Sequence, residues 1–336
     1  MLSRIKIVFT SFFLALLVTS CSDPTLTTPG DTTSDDPSIG VKSSAPGTDF
    51  DGRRMQFKSV PDIKKVNTQL AERGLNIRLA YAETVTSGNS EQPAKGQIIF
   101  ANDRRLRLNA QWVPGDPRRS SDGNTLNYIT WGPFATANFG TDDAINGIPA
   151  IDASFDTWDA ADNSSKLIIT KRPTTAENPS IILGGNPFLA DISQVGFLPG
   201  QLFDIVLEPG ARENVLGVTF TFVWVDQNDN PTDINNDGYN DVALKEVWYN
   251  DDFLWTDAGN SGGAIDIETV ALHENGHALG FGHFGKISIT GLNAPNLRLH
   301  VSPRAVMNAI ILGTQRELLG TDLSSYQSIY GDWPAE

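Results

Sequence analysis

Cysteine is almost missing from this chain. The 336 residues hold one, Cys21, so no internal disulfide can form. Histidine is nearly as scarce, with four residues in all and none before His273. Basic charge is in deficit: 25 Lys/Arg against 40 Asp/Glu leave a formal net charge of −15. That sign argues against a nucleic-acid partner, because phosphate binding needs the opposite one. No apolar run suits a membrane span; the stretch from Ile7 to Val18 is too short to cross a bilayer comfortably. No internal repeat is present. What remains is ordinary globular composition, 40% hydrophobic and 19% charged, with length enough for one large domain or two modest ones.

The charge is unevenly placed. Residues 1–122 carry 16 Lys/Arg against 13 Asp/Glu, whereas 123–336 carry 9 against 27. Solubility accounts for an acidic surface; calcium binding by some carboxylates and docking of the basic third on the acidic remainder are the sharper readings. Residues 1–20 read as a targeting segment, with Arg4 and Lys6 before the apolar stretch. Val18-Thr19-Ser20-Cys21 resembles the lipobox of bacterial lipoproteins. That resemblance implies cleavage before Cys21, lipidation of Cys21 and a cell-envelope location tethered to a membrane, the outer membrane or cell surface in a Gram-negative host. Residues 21–48, rich in Ser, Thr, Pro, Gly and Asp, bury too little to offset their ordering entropy and read as a flexible tether.

Residues 49–122 read as a small α+β region and a possible pro-segment. Its helix runs from Ile63 to Arg73, a strand from Leu75 to Thr86, and two short strands lie between Gly96 and Trp112. From 123 to 336 the pattern sharpens. Strands are expected at Leu126–Trp131, Lys166–Thr170, Gly217–Val225 and Val242–Tyr249. Helices are expected within Thr141–Ala160, delayed or kinked by Pro149, at Ile265–Gly280 and at Leu319–Tyr330.

The decisive stretch is His273-Glu274-Asn275-Gly276-His277-Ala278-Leu279-Gly280-Phe281-Gly282-His283. At 3.6 residues per turn His273 and His277 share one helix face and can reach one metal ion. Glu274, about 100° around the helix, lies beside the ion and can reach a bound water. Gly280 permits the turn that brings back His283 as third ligand. One zinc ion is the expected cofactor and Glu274 the expected base. His300 stands apart, as surface or support.

This pattern, followed by Val306-Met307-Asn308, resembles the metzincin peptidases, whose zinc motif precedes a methionine turn. Among them it is most similar to the matrixins, over about residues 123–336. Leu126 to Trp131, Ile148 to Ala160 with Ala153 and Trp158, Asn250 to Thr256, and Asp322 to Gly331 carry that likeness. The resemblance implies an α+β fold of the zincin-like type: a twisted, mixed, mostly parallel sheet, packed helices and a cleft across the active-site helix. It further implies hydrolysis of protein or peptide substrates lying extended along a sheet edge, Met307 as an apolar floor, and a hydrogen bond from Asp322 to the methionine turn. Two matrixin features are missing. No histidines precede His273 to hold a structural zinc, and Cys21 in the lipobox cannot act as the cysteine switch, so latency needs another device. Phe284 after His283, and the absence of the Met-Tyr-Pro continuation, leave the specificity pocket undefined.

A second metal signal lies at Asp233-Ile234-Asn235-Asn236-Asp237-Gly238-Tyr239-Asn240-Asp241. Asp233, Asn235, Asp237, the Tyr239 carbonyl and Asp241 have the alternating oxygens that calcium prefers, although Leu244 replaces the EF-hand glutamate. A polar turn uses the same residue types. Asp226, Asp229, Asp251 and Asp252 could supplement such a site. Two other functions compete with the peptidase: a calcium-dependent surface-binding module and a zinc hydrolase of cell-wall amides. A monomer is expected.

Overall fold

The computed structural model describes residues 61–87, 108–121, 123–161, 167–174, 176–207, 209–259, 263–290 and 298–333. The targeting segment, Cys21, the tether and the first of the two short strands expected between Gly96 and Trp112 lie outside these residues. Eight strands form one mixed sheet: β1 (Ile77–Ser87), β2 (Ala110–Gln111), β3 (Thr125–Tyr128), β4 (Ile168–Lys171), β5 (Ile192–Leu198), β6 (Val215–Trp224), β7 (Asn240–Asn250) and β8 (Ile310–Ile311). Their order is β8-β1-β6-β7-β5-β3-β4, with β2 beside β7. Only β6 runs antiparallel to its neighbours; every other pairing is parallel. Among the described residues six helices accompany the sheet: α1 (Pro61–Glu72), α2 (Ile148–Asp159), α3 (Gly200–Val206), α4 (Ala211–Asn214), α5 (Ile267–Ala278) and α6 (Gly320–Tyr330).

Because successive strand residues point to opposite faces, the sheet feeds two hydrophobic clusters. Val247 and Tyr249 of β7 join the cluster that holds Ile151, Phe155 and Trp158 of α2 with Val270 and Leu272 of α5. Leu244 and Trp248 join the other, with Leu70 of α1 and Phe203 of α3. Helix α5 is buried all round, as expected of a helix between a sheet and other helices.

Most expected elements are found within a few residues of their sequence limits. Helix α2 begins late, with Pro149 in its first turn, where a missing N–H is harmless. Several elements were not expected, α3, α4 and β8 among them, and two features matter most for the site. The first is β5, central and buried at all seven positions. Ser193, Gln194 and Gly196 break its apolar pattern, but Ser193 Oγ donates to the Lys245 carbonyl and Gln194 Oε1 accepts from the Trp131 N–H, so both side-chain oxygens are satisfied inside. The second is the place of β1, which continues the main sheet on the far edge of β6.

Candidate metal centre

Helix α5 is fixed at both ends before any chemistry is considered. At its start the Asp266 carboxylate accepts from the Thr269 N–H at 3.1 Å and its hydroxyl at 2.7 Å, an N-cap, and pairs with Arg316 at 2.5 Å. At its end Gly280 takes φ +95°, a left-handed conformation open to glycine at little cost, and the chain doubles back toward His283. Trp112 Nε1 donates to the Ala278 carbonyl at 2.9 Å, and Trp158 Nε1 to that of Leu272 at 2.8 Å.

This framework brings the Nε2 atoms of His273, His277 and His283 into a near-equilateral triangle, 3.1, 3.2 and 3.1 Å apart. The Nδ1 atoms of His273 and His277 stand 2.7 Å from the carbonyls of Val306 and Phe281. A carbonyl only accepts, so both Nδ1 atoms carry protons and both Nε2 atoms present lone pairs. Burial holds all three imidazoles below their ordinary range, His273 down to about 4, with the neighbouring imidazoles adding to the effect at His277 and His283. Neutral rings with facing lone pairs repel unless a cation lies among them. Donors about 2.0–2.1 Å from one tetrahedral ion lie about 3.3 Å apart, close to the separations here. The triad can therefore hold a metal ion, and among the described residues it is the group of ligating side chains that converges in this way.

Glu274 follows His273 but turns toward the sheet. Its Oε2 accepts from the Thr219 hydroxyl of β6 at 2.6 Å, and that hydroxyl also lies 3.0 Å from the Glu274 carbonyl. Burial, and to a lesser extent the Glu83 charge, push Glu274 well above the usual carboxylate range; the Thr219 hydroxyl and the Val85 N–H of β1 oppose this. Beneath the helix Lys245 Nζ donates to the His277 carbonyl at 2.6 Å, and burial lowers its pKa to about 7 despite the Glu83 charge. Thr219, Lys245 and Val85 were not singled out in the sequence. They sit in strands whose β-branched and apolar pattern reads as packing, and only the pairing shows which of them meet α5.

Met307 is fully buried, and its sulfur lies so near α5 that a Cβ on Gly276 would stand 2.3 Å from it. Asp322 holds the turn: it accepts from the N–H groups of Val306 at 2.9 Å, Met307 at 3.3 Å and Leu319 at 2.9 Å, the last closing the start of α6.

The acidic loop is arranged differently. Asp233 accepts from the backbone N–H groups of Asp237 and Gly238, and Asp237 from that of Tyr239. Asp241, expected among the calcium ligands, is buried at the base of the loop. It pairs with Arg118 at 2.8 Å and accepts from the Thr232 hydroxyl and the Ile234 N–H. A buried carboxylate needs such partners. Of the possible supplements, Asp226 accepts from Asn228 and Asn230, Asp229 pairs with Arg78, Asp251 accepts from Asn138 and Phe139, and Asp252 pairs with Arg212. His300 is exposed and outside the triad.

Compared with known proteins, the sequence matches no family model, and no curated protein matches it.

Proposed function

We propose that this protein is a zinc-dependent endopeptidase of the metzincin type, close to the matrixins, acting on extended protein or peptide substrates. The observation that carries the reading is the triangle of three imidazole Nε2 atoms beside a buried glutamate, built on a helix capped at both ends and the turn that follows it. His273, His277 and His283 would hold the zinc, three neutral ligands leaving one position open. When bound, zinc supplies Lewis acidity toward a scissile carbonyl and lowers the pKa of water. Glu274 is the general base: Oε2 is fixed by Thr219, and Oε1, which makes no hydrogen bond among the described residues, takes the water proton and returns it to the departing amine. Backbone bonds at Nδ1 keep two of the imidazoles in the ligating tautomer. Asp322 and Met307 keep the floor beneath them in place.

The test is Glu274→Ala on purified, zinc-loaded protein. Zinc should stay bound while hydrolysis of a peptide library falls at least ~100-fold, in keeping with loss of a general base; full activity would sink the assignment. The lipobox-like Val18-Thr19-Ser20-Cys21 supports a companion proposal, that the mature chain is anchored to the cell envelope through Cys21.

A further inference from the structure

We propose that the end of β1, Glu83 to Ser87, is a built-in latch that fills the track along β6 where an extended substrate would lie. This inference rests on the peptidase reading of the site, and its tests do not require hydrolysis.

Four observations converge on the latch. First, β1 pairs antiparallel with β6 from Ile77↔Trp224 to Thr86↔Val215, using the edge of β6 that a guest strand would need. Second, Thr86 and Ser87 pair in parallel with Ile310 and Ile311, just beyond Met307. The segment therefore bridges the strand above α5 and the chain that follows the methionine turn. Third, it reaches the proposed base directly. Val85 is the ladder partner of Gly217, and a Cβ on Gly217 would stand 2.8 Å from Glu274 Oε1. The Val85 N–H lies against the same carboxylate. The charge of Glu83, on the same strand, acts on the buried Lys245, whose Nζ donates to the His277 carbonyl. Fourth, β1 and the base lie inside: Val85 and Glu274 are each 0% exposed, as are His273 and His277, and only His283 of the triad keeps some exposure.

β1 also contains its own boundary. Ile77, Leu79 and Ala82 belong to the second hydrophobic cluster with Leu70 of α1, which anchors the first half of the strand. Register slips twice, between Leu79 and Tyr81 ahead of the latch and between Val85 and Thr86 within it, so the ladder is interrupted on either side of Glu83, the second time beside Glu274. The anchored half can stay while the end leaves β6 and Ile310–Ile311. No thiol takes part; the backbone ladder does the holding.

The probe is a fluorescein-labelled peptide copying Tyr81 to Ser87, added to full-length, zinc-loaded Glu274→Ala protein so that nothing is cut. Val85→Asp places a charge in an apolar contact and should expel the latch, tightening peptide binding at least ten-fold by anisotropy. Adding T86C/I310C in a Cys21→Ser background lets the latch be tied down; adjacent strands lie about 4.8 Å apart, within disulfide reach. Oxidation should return binding to that of the unmutated latch, and reduction should restore it. Equal binding with and without V85D, or binding indifferent to the disulfide, overturns the proposal. Should V85D fail to fold, hydrogen exchange on the unmutated latch decides. Saturating peptide should speed exchange of amides 83–87 at least ten-fold and the T86C/I310C disulfide should suppress this; unchanged exchange overturns the latch. Loss of peptide hydrolysis in every form, with these outcomes intact, would count against the peptidase reading alone.

Discussion

The histidine triad and the loop from Asp233 to Asp241 are both dense in metal-ligating side chains, yet they use their donors in opposite ways. In the triad, backbone carbonyls take the Nδ1 side of His273 and His277 and leave bare Nε2 lone pairs facing one another, 3.1–3.2 Å apart across the triad. In the loop, carboxylate oxygens are turned onto the loop's own N–H groups, and Asp241 is held by Arg118. Ligand-rich sequence is common to both. What separates them is whether the surrounding backbone leaves the donors free and aims them at one point.

The largest expected effect tests the cost of that aim. With the metal chelated, His273 is held down at about 4 against an ordinary 6.5, and His277 and His283 shift the same way. The unfolded chain then binds more protons than the folded one below pH 6.5, so stability present above that pH is lost as pH falls toward 4. For His273 alone this is about 3 kcal/mol. Glu246, raised by burial to about 7, and Glu274, raised well above the carboxylate range, work the other way: their folded forms keep the proton, so their contributions grow as pH falls toward 4.5. In the chelated protein carrying both Glu246→Gln and Glu274→Gln, Tm should drop by on the order of 10 °C between pH 7 and 5. A flat Tm would show that the triad is not strained toward neutrality.

A smaller effect is expected at Asp322. Asp322→Asn keeps the shape but turns an amide against at least one of three N–H donors, so unfolding free energy should fall by about 3 kcal/mol in denaturant titration. An unchanged midpoint would mean that the methionine turn holds itself. The smallest effect belongs to the loop. Asp237 is exposed, and Asp237→Asn should change stability by within about 0.5 kcal/mol in millimolar calcium. A calcium-induced rise in Tm that this variant abolishes would show that the loop opens around an ion, and the contrast with the triad would disappear.

The contrast also marks what the sequence could reveal. The spacing of His273, His277 and His283 follows from helical geometry and a glycine stop, so the metal centre was legible before any coordinates. So were β6 and β7, whose apolar runs match buried strands. The central strand β5 was not, because Ser193 and Gln194 are polar for reasons that exist only once Lys245 and Trp131 stand opposite. The role of Asp241 depends on Arg118, 123 residues away in the chain. The contact of Val85 with Glu274 depends on sheet order, which local patterns do not encode.

The account rests on three imidazoles converging on one ion, and zinc content after loading and exhaustive dialysis tests it most directly. The expected result is one zinc per chain, kept by Glu274→Ala and by Asp237→Asn and lost by His277→Ala. Zinc kept by His277→Ala, or no zinc in the unmutated chain, would contradict it.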